Sequence, residues 1–469
     1  MLPLIRFPGT SLSPRRKALA ATGRRRAWTI QASSGSRRIE AVRPLIPHSW
    51  GTLKQGAIAA SSQRISQEIA NLRLLSPCQF WEEIVITILD GLFNGISIGS
   101  ILLLAALGLA IVFGLMGVIN MAHGELMMLG AYTTYLVQNG FRALGDGWFE
   151  AYIFAALPMA FLVAALAGIV LERGVIRYLY GRPLETLLAT WGVSLILQQF
   201  VRSVNWVIVI GLALFCLLFF GGMWLLRRRS DFERIRPIAL AVLLPLSLAI
   251  AGIVGNSIGQ ARGLAVTQPW FGAQNVDVTA PAWLRGGIPL GAYQLSSVRI
   301  FILLLTTLCV AGVYFFLQKT PWGLRIRSVT QNRSMSACLG IPTQKVDALT
   351  FALGSGLAGI AGCAVSLLGS VGPNTGQNYI VNTFMVVVVG GVGKLVGTIV
   401  GAMAIGIAEY LIGSATFALV FAPLKPLADF FTTFGTTSMA KVLVFILIVA
   451  FLQFRPGGLF PQKGRTVDA

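Results

Sequence analysis

An all-α, polytopic membrane fold is predicted by three properties of the chain. Its 469 residues are 55% hydrophobic and only 12% charged, where soluble domains carry roughly 25% charged residues. Apolar runs close to span length recur from about Glu83 to Phe454, enough for about 10–12 helical segments. Glycine, present 52 times, is frequent inside those runs, as expected of tightly packed transmembrane helices. The ten-residue alternation of a β-barrel is absent.

The formal charge of +20 would suit a nucleic-acid partner, but the cations sit in the N-terminal tail and between spans. That is the positive-inside pattern. Without an aromatic-basic platform or zinc spacing, nucleic-acid binding is not expected. The five cysteines show no paired spacing and imply neither a disulfide framework nor a metal site.

Residues 1–80 stand apart. Nine Lys or Arg residues precede the first acid, Glu40, in a Ser-, Ala- and Pro-rich context without a long apolar run. The expectation is a disordered basic extension, arising either from a targeting segment or from a start codon set too early. Residues 81–469 are expected to form one transmembrane domain. Within it, 84–118 is apolar throughout, about 35 residues, which at 1.5 Å each exceeds one 30 Å span. Two short helices or one long helix broken at its glycines both fit, and they put the N-terminus on opposite sides.

Next come 119–137 and a span near 151–171, then a loop with Arg173, Arg177 and Arg182 that belongs on the cytoplasmic side. Two tightly joined spans, 186–204 and 206–226, return to a basic loop at 227–236. After 237–254 the polar, Gly- and Pro-containing stretch 259–297, with Trp270, Asp277 and Trp283, reads as an external loop. It belongs to an insertion covering about 205–290. Residues 299–317 lead back to 319–345. From there 348–368 runs outward, 370–378 turns outside, 381–391 comes in, the 393–400 region leaves again, 414–440 is short and partly polar, and 442–454 ends inside at Arg455. Every strongly basic loop falls on one side.

Residues 319–345 carry five cations, Lys319, Arg325, Arg327, Arg333 and Lys345, and no acid. Residues 331–339 are predicted to form one short helix, stopped by Gly340 as C-cap and Pro342 just beyond. A helix held there between two spans can receive a push from a soluble partner. In NMAHGE, Asn120, His123 and Glu125 bring polar groups to membrane depth, where they are costly. They either line a pathway or clamp a broken helix. The SVGPNTGQN turn offers Asn374, Thr375, Gln377 and Asn378 as neutral donors and acceptors, or is an ordinary turn formed by its Pro and Gly. Gln198 and Gln199 are equally open. Gly390, Gly391, Gly393, Gly397 and Gly401 give small-xxx-small spacing, expected to pack helices. GISIG and GNSIG match G-x-S-x-G, but neither follows a strand and His123 is the only histidine after His48, so a hydrolase is not expected. GGVGKL lacks the first glycine and the terminal Ser/Thr of a phosphate loop, so ATP is not bound by that route.

From about Asp90 to its end the chain resembles permease subunits of branched-chain amino acid and urea ABC importers. The resemblance rests on FNGISIGSILLLAALGLAIVFGLMGVINMAHGELMMLGAY, LERGVIRYLYGRPLETLLATWGVSLILQQ, WGLRIRSVTQNRSMSACLGI, GSVGPNTGQNYIVNTFMVVVVGGVGKLVGTIVGA and FRPGGLFPQKGR. The last three segments look like the urea branch, and the insertion is similar to cyanobacterial-type members. The resemblance implies a non-enzymatic, multi-pass permease of a bacterial inner membrane. It would work with a second permease subunit, two cytoplasmic ATPase subunits that bind the ATP, and an external solute-binding protein, surrounded by lipid. It implies that 319–345 is the coupling loop, with Arg325, Arg327, Asn332, Arg333, Leu339 and Gly340 toward the ATPase. It leaves Asn94, Asn120, His123, Glu125, Asn374, Thr375, Gln377 and Asn378 as candidate pathway groups, and no cofactor of its own. The implied solute is urea, with branched-chain amino acids as the alternative. An ion-coupled carrier or a channel is the rival class; against the carrier, no buried acid pair stands out.

Overall fold

The computed structural model describes residues 77–226, 242–254, 257, 270, 275–290, 293–414, 416 and 437–460. The expectations for the tail up to residue 76, for the basic loop 227–236 and for 417–436 lie outside the described residues.

The first apolar block is a single helix, α1 (Pro77–Met116), 40 residues without a break. Its glycines do not interrupt it because Gly95, Gly99, Gly108 and Gly114 abut neighbouring main chain and Gly91 abuts the Leu411 side chain. Gly99, for example, leaves no room for a Cβ, which would fall 2.9 Å from the Ala402 carbonyl oxygen. The helix ends where Gly117 turns to φ +68°, a conformation that suits glycine. The chain re-enters through 117–122 and starts α2 (His123–Leu144). There follow α3 (Asp146–Phe149), α4 (Tyr152–Gly174), a 3-10 turn (Ile176–Leu179), α5 (Pro183–Ser203, with Pro at its start), α6 (Trp206–Leu226) and α7 (Val242–Val254).

Part of the expected external loop is ordered as a hairpin. Strands β1 (Gly287–Leu290) and β2 (Tyr293–Ser296) pair antiparallel, Gly287 opposite Ser296 and Leu290 opposite Tyr293. This small sheet is an exception to the all-α expectation. It runs directly into α8 (Ser297–Lys319).

The short helix expected over 331–339 is present, starting two residues later, and a second helix that was not expected precedes it. Pro321 opens α9 (Pro321–Gln331), capped by Thr320, whose Oγ1 accepts from Gly323 N at 3.1 Å. Asn332 then leaves helical geometry at φ −153° and caps α10 (Arg333–Cys338), accepting from Met335 N at 3.0 Å. An asparagine side chain competes for backbone donors in this way, so it makes a better N-cap than interior residue. The expected stop is present: Gly340 has φ +79°, and Ile341 N reaches back to Ser336 O at 3.1 Å, closing a Schellman turn. The last four helices are α11 (Thr343–Ser366), α12 (Thr375–Gly390), α13 (Leu395–Gly413) and α14 (Thr437–Phe454).

Six helices among the described residues are long and apolar enough to cross a membrane: the 85–116 part of α1, α4, α5, α8, α11 and α13. Two of them, α1 and α11, are also largely enclosed by protein, each 83% buried over its most apolar window. The core is built around that pair. Leu104, Leu107 and Val112 of α1 and Phe351, Ala358 and Ala361 of α11 are fully buried.

Helices α1, α2 and α4 are matched by α11, α12 and α13 in the same order and the opposite direction. Met116, at the end of α1, and Asp347, near the start of α11, line one cavity, so the two helices run antiparallel. They cross where Gly108 and Gly354 abut with no room for a side chain on either. α2 and α12 both begin in the interior, Gly124 against Gly376, and run to opposite ends of the bundle. α4 packs on α11 as α13 packs on α1. Inverted repeats with discontinuous helices starting near the centre are a recurrent transporter architecture.

Candidate functional site

The polar centre lies where α2 begins. His123 Nε2 sits 3.0 Å from the Ala105 carbonyl oxygen of α1, eleven residues, or about 16 Å, from the end of that helix. Asn120 Oδ1 accepts from Ala122 N at 3.1 Å, and Thr190 Oγ1 of α5 accepts from Met121 N at 3.1 Å. Glu125 Oε1 takes bonds from Ser194 Oγ at 3.0 Å and Gln198 Nε2 at 2.7 Å, both on α5. Asn120 and His123 are fully buried and Glu125 is 1% exposed. The group thus clamps the break in the helix to α1 and α5, and the Gly124–Gly376 contact closes the space beside it. Gln198, open in the sequence, faces this clamp; Gln199 does not share it.

The end of the bundle where α1 stops and α11 starts carries Arg177 and Arg333 with their acidic partners. Arg333 Nη2 donates to Asp347 Oδ2 at 2.6 Å, and its guanidinium lies 4.9 Å above the Tyr180 ring. Glu172, fully buried at the end of α4, pairs with Arg177 at 3.6 Å without a hydrogen bond. These groups line a cavity of about 500 Å³. Burial, and secondarily the Asp347 and Glu172 carboxylates, push the Tyr180 phenol upward, so it stays protonated. Nothing along the chain links Glu172 to Asp347, since 174 residues lie between them. No buried acid pair stands out along the chain, yet the fold forms one: Glu172 is fully buried, Asp347 is 3% exposed, and both face one cavity.

α10 projects from this end. Ser336 is its buried residue, while Met335 and Leu339 are 60% and 76% exposed. Arg325 stacks on Trp322 at 4.7 Å, and Arg327 donates to Gln318 Oε1 at 2.8 Å. Arg333 and Asn332 are exposed as well, one held by Asp347 and the other capping the helix. The outward surface of α10 includes the apolar pair Met335 and Leu339.

At the opposite end, Asn94 bonds Asp90 at 2.7 Å and Tyr410 at 3.0 Å, and Arg299 donates to its amide oxygen. Asn374 accepts from Arg202 at 2.6 Å, and Thr375 Oγ1 accepts from Gly372 N at 2.8 Å. Gln377 and Asn378 are exposed on the first turn of α12. Through Gly376, which abuts Gly124 and the Glu125 main chain, the turn around Asn374 lies beside the clamp around Glu125. Of the five glycines, Gly390, Gly397 and Gly401 bring α12 and α13 together, whereas Gly391 and Gly393 are turn residues at φ +97° and +79°. Asp90, Arg299 and Glu409 were not singled out in the sequence, although charged groups within apolar runs were the available signal.

Residues 91–452 match the family described as branched-chain amino acid transport system / permease component. The chain is 25% identical over 325 residues to the high-affinity branched-chain amino acid transport system permease protein LivH of Salmonella typhimurium, covering 69% of this chain and 85% of that one. It is 25% identical to BraD of Pseudomonas aeruginosa, a protein of the same description, over 79% of this chain and 95% of that one. A shorter match, 30% identical over 127 residues, is to the ribose import permease protein RbsC of Bacillus subtilis, covering 26% and 36%. These relatives lend the urea branch no support. No solved structure matches the chain. With the family match spanning most of the chain and six helices fit to span a bilayer, the protein belongs to the branched-chain amino acid ABC permease family, as a multi-pass inner-membrane transport subunit and not an enzyme.

Proposed function

We propose that the chain forms the translocation path of an ATP-driven importer for branched-chain amino acids. The observation that carries this reading is α10, a short helix standing clear of the bundle yet tied to the central helix α11 through Arg333 and Asp347. Its apolar tip suits a cleft on a cytoplasmic ATPase, with two ATPases and two permease subunits in the working complex and a binding protein delivering solute at the other end. Displacement of α10 pulls on Asp347 and so on α11. Because α11 crosses α1 at Gly354–Gly108, with no slack between the backbones, its motion shifts α1 and loosens the Gly124–Gly376 contact. The starts of α2 and α12 then face the path beside Asn120, His123 and Glu125, while Asn94, Asn374, Thr375, Gln377 and Asn378 lie toward the entrance. Two helix N-termini favour a solute that carries a carboxylate, which agrees with the names of the relatives.

A second reading, urea, is favoured by the neutral amides Gln377 and Asn378 exposed on α12 and by the loop sequences that resemble the urea branch. The two separate in one experiment: uptake of micromolar labelled leucine and labelled urea by cells with and without the gene. Loss of leucine uptake with urea uptake intact supports the amino acid reading. Loss of urea uptake that leucine does not compete for overturns it in favour of urea.

A further inference from the structure

A second cavity, about 770 Å³, lies on the basic end beside α9, within the roughly 300–1,000 Å³ of small-ligand sites. Its walls are the last turns of α8 (Tyr314, Leu317), the first turn of α13 (Val396) and Phe460. Tyr314 is 55%, Val396 61% and Phe460 42% exposed. Arg327 and Lys394 are its cations, and no acid lines it. Both helices whose ends form the walls are membrane spans, so the apolar wall lies where hydrocarbon gives way to headgroups. A ligand here meets grease on one side and two positive charges on the other. Neither a soluble anion nor an acidic protein surface uses both halves.

We propose that this cavity binds one anionic phospholipid, its headgroup phosphate against Arg327 and Lys394 and an acyl chain along Tyr314, Leu317 and Val396. Basic pockets between spans on the cytoplasmic side select such lipids; the assignment of this end as cytoplasmic rests on the function proposed above. Arg327 lies on α9, five residues before the Asn332 joint into α10. A bound lipid therefore braces α9 while α10 moves.

The test is native mass spectrometry of the purified full chain, delipidated and then given phosphatidylglycerol or phosphatidylcholine. The wild type retains phosphatidylglycerol in preference. Arg327→Gln with Lys394→Gln weakens that retention roughly ten- to thirty-fold, and Arg327→Lys with Lys394→Arg keeps it. Equal retention by the charge-removing and charge-keeping pairs overturns the proposal. Displacement by inorganic phosphate at equal concentration overturns it as well, because the apolar wall then contributes nothing. Removing residues 461–469 leaves retention unchanged; a gain on removal would make the chain's own C-terminus the occupant and sink the lipid site. Lipid retention is read without transport, so its failure is distinct from failure of the importer reading.

Discussion

Arg333 and Asp347 form the contact through which the projecting helix reaches the middle of the bundle: Nη2 to Oδ2, 2.6 Å, with the carboxylate side chain 5% exposed and the arginine 48%. A buried acid held by a half-exposed base is asymmetric. Losing the arginine strands a buried charge, whereas losing the acid frees a group that water can reach.

Arg333→Gln is therefore expected to harm the protein more than Asp347→Asn. The coupling energy of the pair in a double-mutant cycle should be about 1–3 kcal/mol, between surface and buried limits. In reconstituted complexes, uptake should fall while ATP hydrolysis persists. Uptake and hydrolysis falling in parallel would remove the pair from the coupling path.

Met335→Ser with Leu339→Ser tests the docking face. Both side chains are mostly exposed, so the permease itself should melt at an unchanged temperature. Association with the ATPase should weaken about tenfold or more if these are the anchoring residues. Undiminished co-purification of the ATPase would show that α10 docks through other groups.

Gly340→Ala should be locally destabilising by about 1 kcal/mol, because a Cβ is disfavoured at φ +79°. Hydrogen exchange in 333–341 should accelerate, with the spans unaffected. Unchanged exchange there would contradict the Schellman stop.

Gly124→Ala and Gly376→Ala each place a methyl against the other glycine's backbone. Each is expected to cost about 1–3 kcal/mol of stability by overpacking. The double variant should depart from additivity, since both changes wedge the same contact. Strict additivity in detergent melts would argue that the two helix starts do not meet.

Glu125→Leu leaves the Gln198 amide and the Ser194 hydroxyl without their acceptor, at about 1–3 kcal/mol. Glu125→Gln keeps an acceptor oxygen and should melt closer to wild type. If the two variants melt alike, the hydrogen bonds to α5 contribute nothing to stability.

What the sequence determined by itself follows from local chemistry. Apolar runs announce spans because a bilayer leaves no alternative for their side chains. Gly340 followed by Pro342 announces a helix end, and NMAHGE announces polar groups that must find partners. Tertiary structure decided the rest. It kept α1 whole, because Gly95, Gly99 and Gly108 serve close approach to neighbouring backbones and not flexibility, and one sequence pattern permits both. It set the start of the helix expected over 331–339 at Asn332, whose side chain caps it, and placed α9 directly before that cap. It joined Glu172 to Asp347 and Gly124 to Gly376, 175 and 252 positions apart, by folding α1–α2–α4 against α11–α12–α13, and Glu125 to Gln198, 73 positions apart, by packing α5 on the start of α2. Spacing along a chain encodes helix faces within a few turns. Which faces meet is set by the packing of the whole bundle.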